Sequence, residues 1–591
     1  MGRLYPFRSV AAESGRRRSA AVARVLSPRG ALALRTVDGA FSHAVQAAIA
    51  TALPVLVLLP AGRAEYAVYT ILGSFSTTFG QNLPYPRRAR VLAVVGPAMT
   101  ACVGCGAALA AWARPWEGAA GAAAVVAAMA AVAGLAKFAC DATRLGGLGA
   151  VLLLFSFAVA ANAHPSSYAD VLPRTALAAT GAAVVWAVAM AGRFVHPDRP
   201  QRLAVAAALR AVAELLEATG AEAESRPVRN RATAAVLQAY ESLGLMPSAA
   251  TGRGVRGSVC VRLTDLSWSL LTDTARRPPD GPAEVARNLR RQVALLVDPR
   301  RPVPALLPEL LFPFGAVPTG TLPSSAKAGS EKADLAARRA AVLLRGRRHG
   351  HAAVLLVPAL RMTLGTGLAG ALALALGLGH GYWAAISAAA VLHAVNVRTA
   401  AQRAVQRTVG TAAGLALALG VLATAPSPTA LVLVIVLLEF LLEYVVARNY
   451  GLGVVFLTPL ALLLAELAAP EPARSLVLER AVGSVLGIAV GLCCALLVVH
   501  DRAAVRAERA MAVCVRAAER AERALAKGRE ASLPVVRTRL AAAVVELREA
   551  DDAAAGELWS AEIDPTELTA VEQRAYHLLD RLSRRERHPE P

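Results

Sequence analysis

Apolar runs close to the roughly 20 residues a helix needs to cross a bilayer recur along this chain, and they fall into two blocks, 41–192 and 352–499. Hydrocarbon offers backbone N–H and C=O groups no partner, so such runs must fold as helices that satisfy those groups internally. In the first block, 41–60, 65–80, 91–112, 118–136, 147–163 and 174–192 read as spans. In the second, 352–377, 381–395, 405–424, 429–447, 451–468 and 478–499 do. Composition agrees: 56% hydrophobic and 18% charged residues over 591 leave too little polar surface for a soluble protein of this length. The expected fold is an all-α membrane protein of about twelve transmembrane helices in two six-helix halves.

Charge predicts the orientation. The Arg-rich N-terminus, Arg87, Arg88, Arg90, Lys137, Arg144, Arg193, Arg199, the run Arg345 to His349, Arg398, Arg403, Arg407, Arg448 and Arg502 share one side. Arg63, Arg114, Arg174, Arg474 and Arg480, mostly beside acidic residues, fall on the other. The positive-inside rule places both termini and the middle segment in the cytoplasm. An even number of spans per half makes the halves run parallel. Tyr66 and Tyr382 open corresponding spans, and Arg followed seven residues later by Gly recurs at Arg174–Gly181, Arg403–Gly410, Arg407–Gly414 and Arg480–Gly487. Such glycines allow close helix packing.

Five regions follow: a basic cytoplasmic tail (1–40), a first membrane half (41–192), a polar helical segment with a Pro-rich linker near 299–323 (193–351), a second membrane half (352–499) and a helical tail (500–591). The polar segment and the tail carry amphipathic periodicity and are expected to pack together as a cytoplasmic helical bundle. The net charge of +21 comes without a nucleic-acid recognition module and is read as topology and attraction to anionic lipid. The first 35 residues, rich in arginine and lacking an apolar core with a small-residue cleavage site, are not expected to act as a signal peptide. Seven cysteines include pairs inside apolar runs, Cys102 with Cys105 and Cys493 with Cys494, and no His or acidic partner stands at metal-ligand spacing. GTGLAG, from Gly365, follows no strand, and there is no P-loop. No metal, cofactor or enzymatic activity is expected.

The stretch from Tyr382 to Gly420, with its Tyr–Trp start, basic loop and R-x-V-G-T-x-x-G run, resembles the fusaric acid resistance protein-like (FUSC) family. The later RNYGLGVVFLTPLALLL and ERAVGSVLGIAVGL stretches fit the same pattern. The resemblance implies a secondary transporter that exports small aromatic organic anions. Plant aluminium-activated malate transporters have a distantly similar membrane half, which keeps a passive anion channel as an alternative. A membrane scaffold without transport is a third reading. The partners implied are a small organic anion, membrane lipid and, as an open option, further copies of the chain; nucleic acid is not among them.

Within this frame eight residues are candidates for substrate binding or gating. Arg361 lies about ten residues into the seventh span, where a charge costs roughly 2.5–3.5 kcal/mol unless it faces protein or water. It is expected either to neutralise an anion or to snorkel. Glu439 and Glu443, four apart on one face of the tenth span, could carry a coupling proton or pair with Arg361 or Arg448. His393 and Asn396 could meet polar groups of a substrate or loop backbone. Arg403 and Arg407 are placed at a cytoplasmic vestibule, and Arg480 at the outer mouth.

Overall fold

A computed structural model describes residues 34–587 apart from 35–36, 60–63, 82, 144, 146–148, 165–166, 219–221, 244–253, 275–280, 299, 301–304, 311–351, 395, 469–471, 498–501, 528–532 and 556–564. The basic tail up to residue 33, the run Arg345 to His349, Arg63, Arg144 and most of the Pro-rich linker lie outside the described residues.

The described residues are helical, without a strand. The first set of apolar helices comprises α1 (Ala40–Leu58), α2 (Ala67–Ser74), α3 (Tyr85–Ala113), α4 (Ala119–Thr143), α5 (Gly149–Ala161) and α6 (Tyr168–Val195). Four polar helices follow: α7 (Arg199–Glu217), α8 (Glu222–Leu243), α9 (Gly254–Asp273) and α10 (Pro282–Val297). The second apolar set is α11 (Ala352–Ala375), α12 (Tyr382–Leu392), α13 (Val397–Leu422), α14 (Pro428–Val446), α15 (Tyr450–Ala468) and α16 (Ala473–Leu497). The chain closes with α17 (Arg502–Ala526), α18 (Leu533–Ala555) and α19 (Pro565–Arg587).

Among the described residues nine helices are long and apolar enough to cross a membrane: α1, α3, α4, α6, α11, α13, α14, α15 and α16. Leu172, Trp186, Leu364, Leu437 and Val485 remain exposed on them, as side chains meant for lipid do. The runs predicted as spans at 65–80, 147–163 and 381–395 form α2, α5 and α12, which are 8, 13 and 11 residues long. At 1.5 Å per residue these reach only about 12–20 Å, short of a hydrocarbon core near 30 Å. Every residue of α2 and α12 is buried. A helix apolar on all sides and wrapped by protein is core, and hydropathy alone does not separate it from a lipid-facing span.

The two sets pack by matching rules. The helix α3 packs on α5 and α6 as α13 does on α15 and α16, and α2 packs on α6 as α12 does on α16. The sets join crosswise, α1 on α14 and α11 on α4. Two glycines allow the short helices to seat. A Cβ on Gly181 would lie 2.0 Å from the Thr70 carbonyl oxygen, and one on Gly487 would lie 2.1 Å from that of Ala384. This aligns Tyr69 with Trp383, one residue before each contact, rather than Tyr66 with Tyr382. Gly487→Ala is therefore expected to destabilise the protein by roughly 1–3 kcal/mol, the cost of overpacking. Gly420→Ala, where a Cβ meets nothing within 4 Å, should be neutral. Thermal melts of the two variants in detergent test the contrast.

Helices α7–α10 and α17–α19 share one core, which includes Leu209, Leu263, Leu289, Leu540, Leu547 and Leu579. At its centre Arg548 pairs with Glu572 at 2.5 Å. The Tyr576 hydroxyl lies 3.2 Å from Thr233 Oγ1. Asp38, just before α1, pairs with Arg210 of α7 at 2.5 Å, tying the membrane helices to this bundle. Burial pushes the Cys260 thiol up to about 11 and the Cys514 thiol up to about 12. Only the thiolate is nucleophilic, so at about pH 8 both should resist alkylation until the bundle unfolds, when the thiols return to about 8.5. By linkage the bundle should weaken as pH rises past about 8.5, because the unfolded chain ionises first. Peptide-resolved alkylation with and without denaturant checks the first point, and denaturation midpoints across pH check the second.

Candidate functional site

The short helix α12 organises the polar interior of the second set. Its Trp383 and Ser387 are one turn apart and both buried. Arg407 of α13 reaches α12 from one side, donating through Nη2 to Ser387 Oγ at 3.3 Å and through Nη1 to the Tyr450 hydroxyl at 3.1 Å. Arg480 of α16 reaches it from another, with its guanidinium carbon 3.9 Å from the centre of the Trp383 ring. The two arginines are 1% and 2% exposed and lie within electrostatic reach of each other.

Neither makes an ion pair among the described residues, and Arg407 Nε with Arg480 Nε and Nη1 meets no acceptor. A buried charge costs several kcal/mol unless it is paired, and two like charges side by side cost more. The first set shows the compensated version. Arg174 of α6 lies 5.2 Å over Tyr69 and has Asp170 at 3.7 Å. Position 476, the counterpart of Asp170 relative to Arg480, is Leu. Arg480 therefore has no carboxylate one turn away as Arg174 has, although Glu479 adjoins it in sequence. Its neighbour Glu479 holds the His380 imidazole at 2.7 Å instead.

A cavity of about 360 Å³ lies between the two sets, at the end away from the bundle. Tyr69, Trp116, Met129, His164, Tyr382 and Trp383 are among its lining residues. Trp383 is shared: its ring is both cavity wall and platform for Arg480. Its indole N–H meets no acceptor.

Other predicted residues have local duties. Arg361 donates to the Ala394 carbonyl at 3.1 Å, and Arg403 reaches the Ala390 carbonyl at 3.5 Å. Both therefore serve the carbonyl end of α12, where cations are favoured. Arg403 also lies 5.1 Å from the Tyr450 ring. Asn396 caps α13, its side-chain oxygen accepting from the Thr399 N–H at 2.9 Å. His393 is buried at the end of α12.

The carboxylates stand elsewhere, toward the bundle end. Glu443 accepts from Thr78 Oγ1 at 2.6 Å and from Gln81 Nε2 at 3.0 Å, and lies 3.2 Å from His43 Nε2. Neither Arg361 nor Arg448 pairs with it: Arg448 stacks on Tyr444 at 4.0 Å. Glu439 is fully buried, and neither of its oxygens meets a donor among the described residues. Sequence reasoning missed His43, Thr78, Gln81, Ser387 and Tyr450. Only His43 carries a signal in the sequence, as a lone imidazole opening an apolar run.

Residues 368–494, which contain both arginines and both glutamates, match the model of the family described as fusaric acid resistance protein-like. The chain is 24% identical over 568 residues to an uncharacterized membrane protein, YvaC, of Bacillus subtilis (strain 168), covering 91% of this chain and 85% of that protein. No solved structure matches. Over residues 368–494 the second set of apolar helices thus resembles the fusaric acid resistance protein-like family, and the chain is similar over most of its length to a membrane protein.

Proposed function

We propose that the protein is a secondary transporter that exports small aromatic organic anions across the bacterial plasma membrane. The observation that carries this reading is the Arg407–Arg480 pair, buried without a carboxylate and with guanidinium N–H groups left over. An anion placed between the two offsets their repulsion and accepts those N–H groups, as arginine does for carboxylates. The adjoining cavity of about 360 Å³ suits a one-ring molecule, and its tyrosine and tryptophan walls favour an aromatic body. A carboxylate at the arginines and a ring toward Trp383 would place such a ligand on the way to the end opposite the bundle. In this reading the basic residues keep the bundle cytoplasmic, and the two helix sets are parallel repeats that rock about the shared seam.

Purified full-length protein in proteoliposomes should take up labelled benzoate saturably. Benzamide, which has the ring without the charge, should neither move nor compete. Equal movement of both, or of neither, would sink the proposal.

A further inference from the structure

Glu443 belongs to the second helix set, yet all three of its side-chain partners belong to the first. His43 stands in the opening turn of α1, Thr78 ends the 3-10 turn after α2, and Gln81 lies in the link to α3. The carboxylate is 2% exposed, so these contacts form in the interior of the seam. One turn earlier on the same face, Glu439 is 0% exposed and has no donor on either oxygen among the described residues. The seam therefore supplies hydrogen-bond donors for one negative charge but places two carboxyl groups there.

Few other charges reach this point. Arg88 of α3, itself buried, is within electrostatic reach of Glu443. Helix α15, packed on α14, contributes Tyr450, already engaged by Arg407, and Glu466 near its far end. The 3-10 turn at 64–66 brings Glu65 and Tyr66, also at the far end. Helix α1 contributes His43 alone.

We infer that Glu439, Glu443 and His43 form a proton-binding site on the seam between the helix sets, and that proton uptake by Glu443 unlatches one set from the other. Glu439 holds a resident proton, because a second charge beside Glu443 has no donor to meet it. Glu443, while ionised, draws Thr78, Gln81 and His43 across the seam. A proton arriving on its carboxylate removes the charge that makes these hydrogen bonds strong, and the sets are freed to move. No bond other than O–H forms or breaks. Because α1 is held to the bundle by Asp38 and Arg210, the latch also bears on the bundle. This inference rests on the transport reading, for which it supplies the coupling.

Two measurements on the purified full-length protein test it, the first independent of transport. Infrared spectra at neutral pH should show a protonated-carboxyl band that is lost in Glu439→Gln and kept in Glu443→Gln. Absence of that band in the unmodified protein overturns the site. The second measurement compares benzoate accumulation driven by an imposed pH gradient with benzoate counterflow. The ratio of accumulation to counterflow should fall at least tenfold in both Glu439→Gln and Glu443→Gln. A ratio that does not change in these variants, or flux in the unmodified protein that ignores the gradient and follows voltage as in a passive channel, overturns the coupling. If benzoate does not move at all, the transport reading falls while the infrared band still decides the proton site.

Discussion

Arg480→Met is expected to weaken anion binding roughly 10- to 100-fold while leaving the empty protein as stable as before or more so. The two effects have opposite physical origins. In the unliganded protein Arg480 is a buried charge beside Arg407, with two of its nitrogens unsatisfied. Replacing such a group by an apolar one of similar length removes a desolvation cost, and comparable replacements range from neutral to about 1–4 kcal/mol stabilising. The contact with Trp383 is lost, which returns roughly 0.5–2 kcal/mol. Binding moves the other way. A charge-assisted hydrogen bond contributes about 1.5–3 kcal/mol, so benzoate affinity should fall roughly 10- to 100-fold. Tryptophan fluorescence titration reads the second effect and a thermal melt the first. A variant that melts much earlier and still binds benzoate would make Arg480 a structural residue.

Arg548→Ala in the bundle is expected to do the reverse: a large loss of stability with no direct effect on an anion site. Arg548 and Glu572 are each 8% exposed at the side chain and pair at 2.5 Å, with the guanidinium 6.0 Å from the Tyr576 ring. Removing Arg548 takes the 2.5 Å guanidinium from a buried carboxylate, and breaking a buried pair in this way costs about 3–5 kcal/mol. Removing both, as Arg548→Met with Glu572→Leu, should recover most of that loss, since the pair is set among apolar side chains of the bundle core. Limited proteolysis and denaturant midpoints for the single and double variants close the cycle. Equal destabilisation of the two would show that the pair itself, and not the charge left behind, matters.

The contrast between these arginines could not be read along the chain. Arg174 and Arg480 occur in similar contexts, each seven residues before a glycine that seats a short helix. One is neutralised by an aspartate one turn away, and the other has leucine at that place. That difference is visible in the sequence once the alignment is known. The alignment itself came from packing: Tyr69 lies under Arg174 as Trp383 lies under Arg480. Arg361 misled for a related reason. Its depth in an apolar helix signals that it must face protein, but not that the carbonyl end of α12 is what it faces.

The sequence by itself determined that the chain lives in a membrane, where its long helices run, and which segments are polar. These properties sum over neighbouring residues, each contributing its own transfer free energy whatever the rest of the chain does. The same locality made α2, α5 and α12 look like spans, because a residue's hydropathy does not record whether lipid or protein surrounds it. Only the tertiary structure decided which charges are paired. Glu443 finds His43 across 400 residues of chain, and Arg407 and Arg480 converge on α12 from separate helices. Electrostatic free energy belongs to such pairs and to the medium between them, so it exists only once the fold has brought them together.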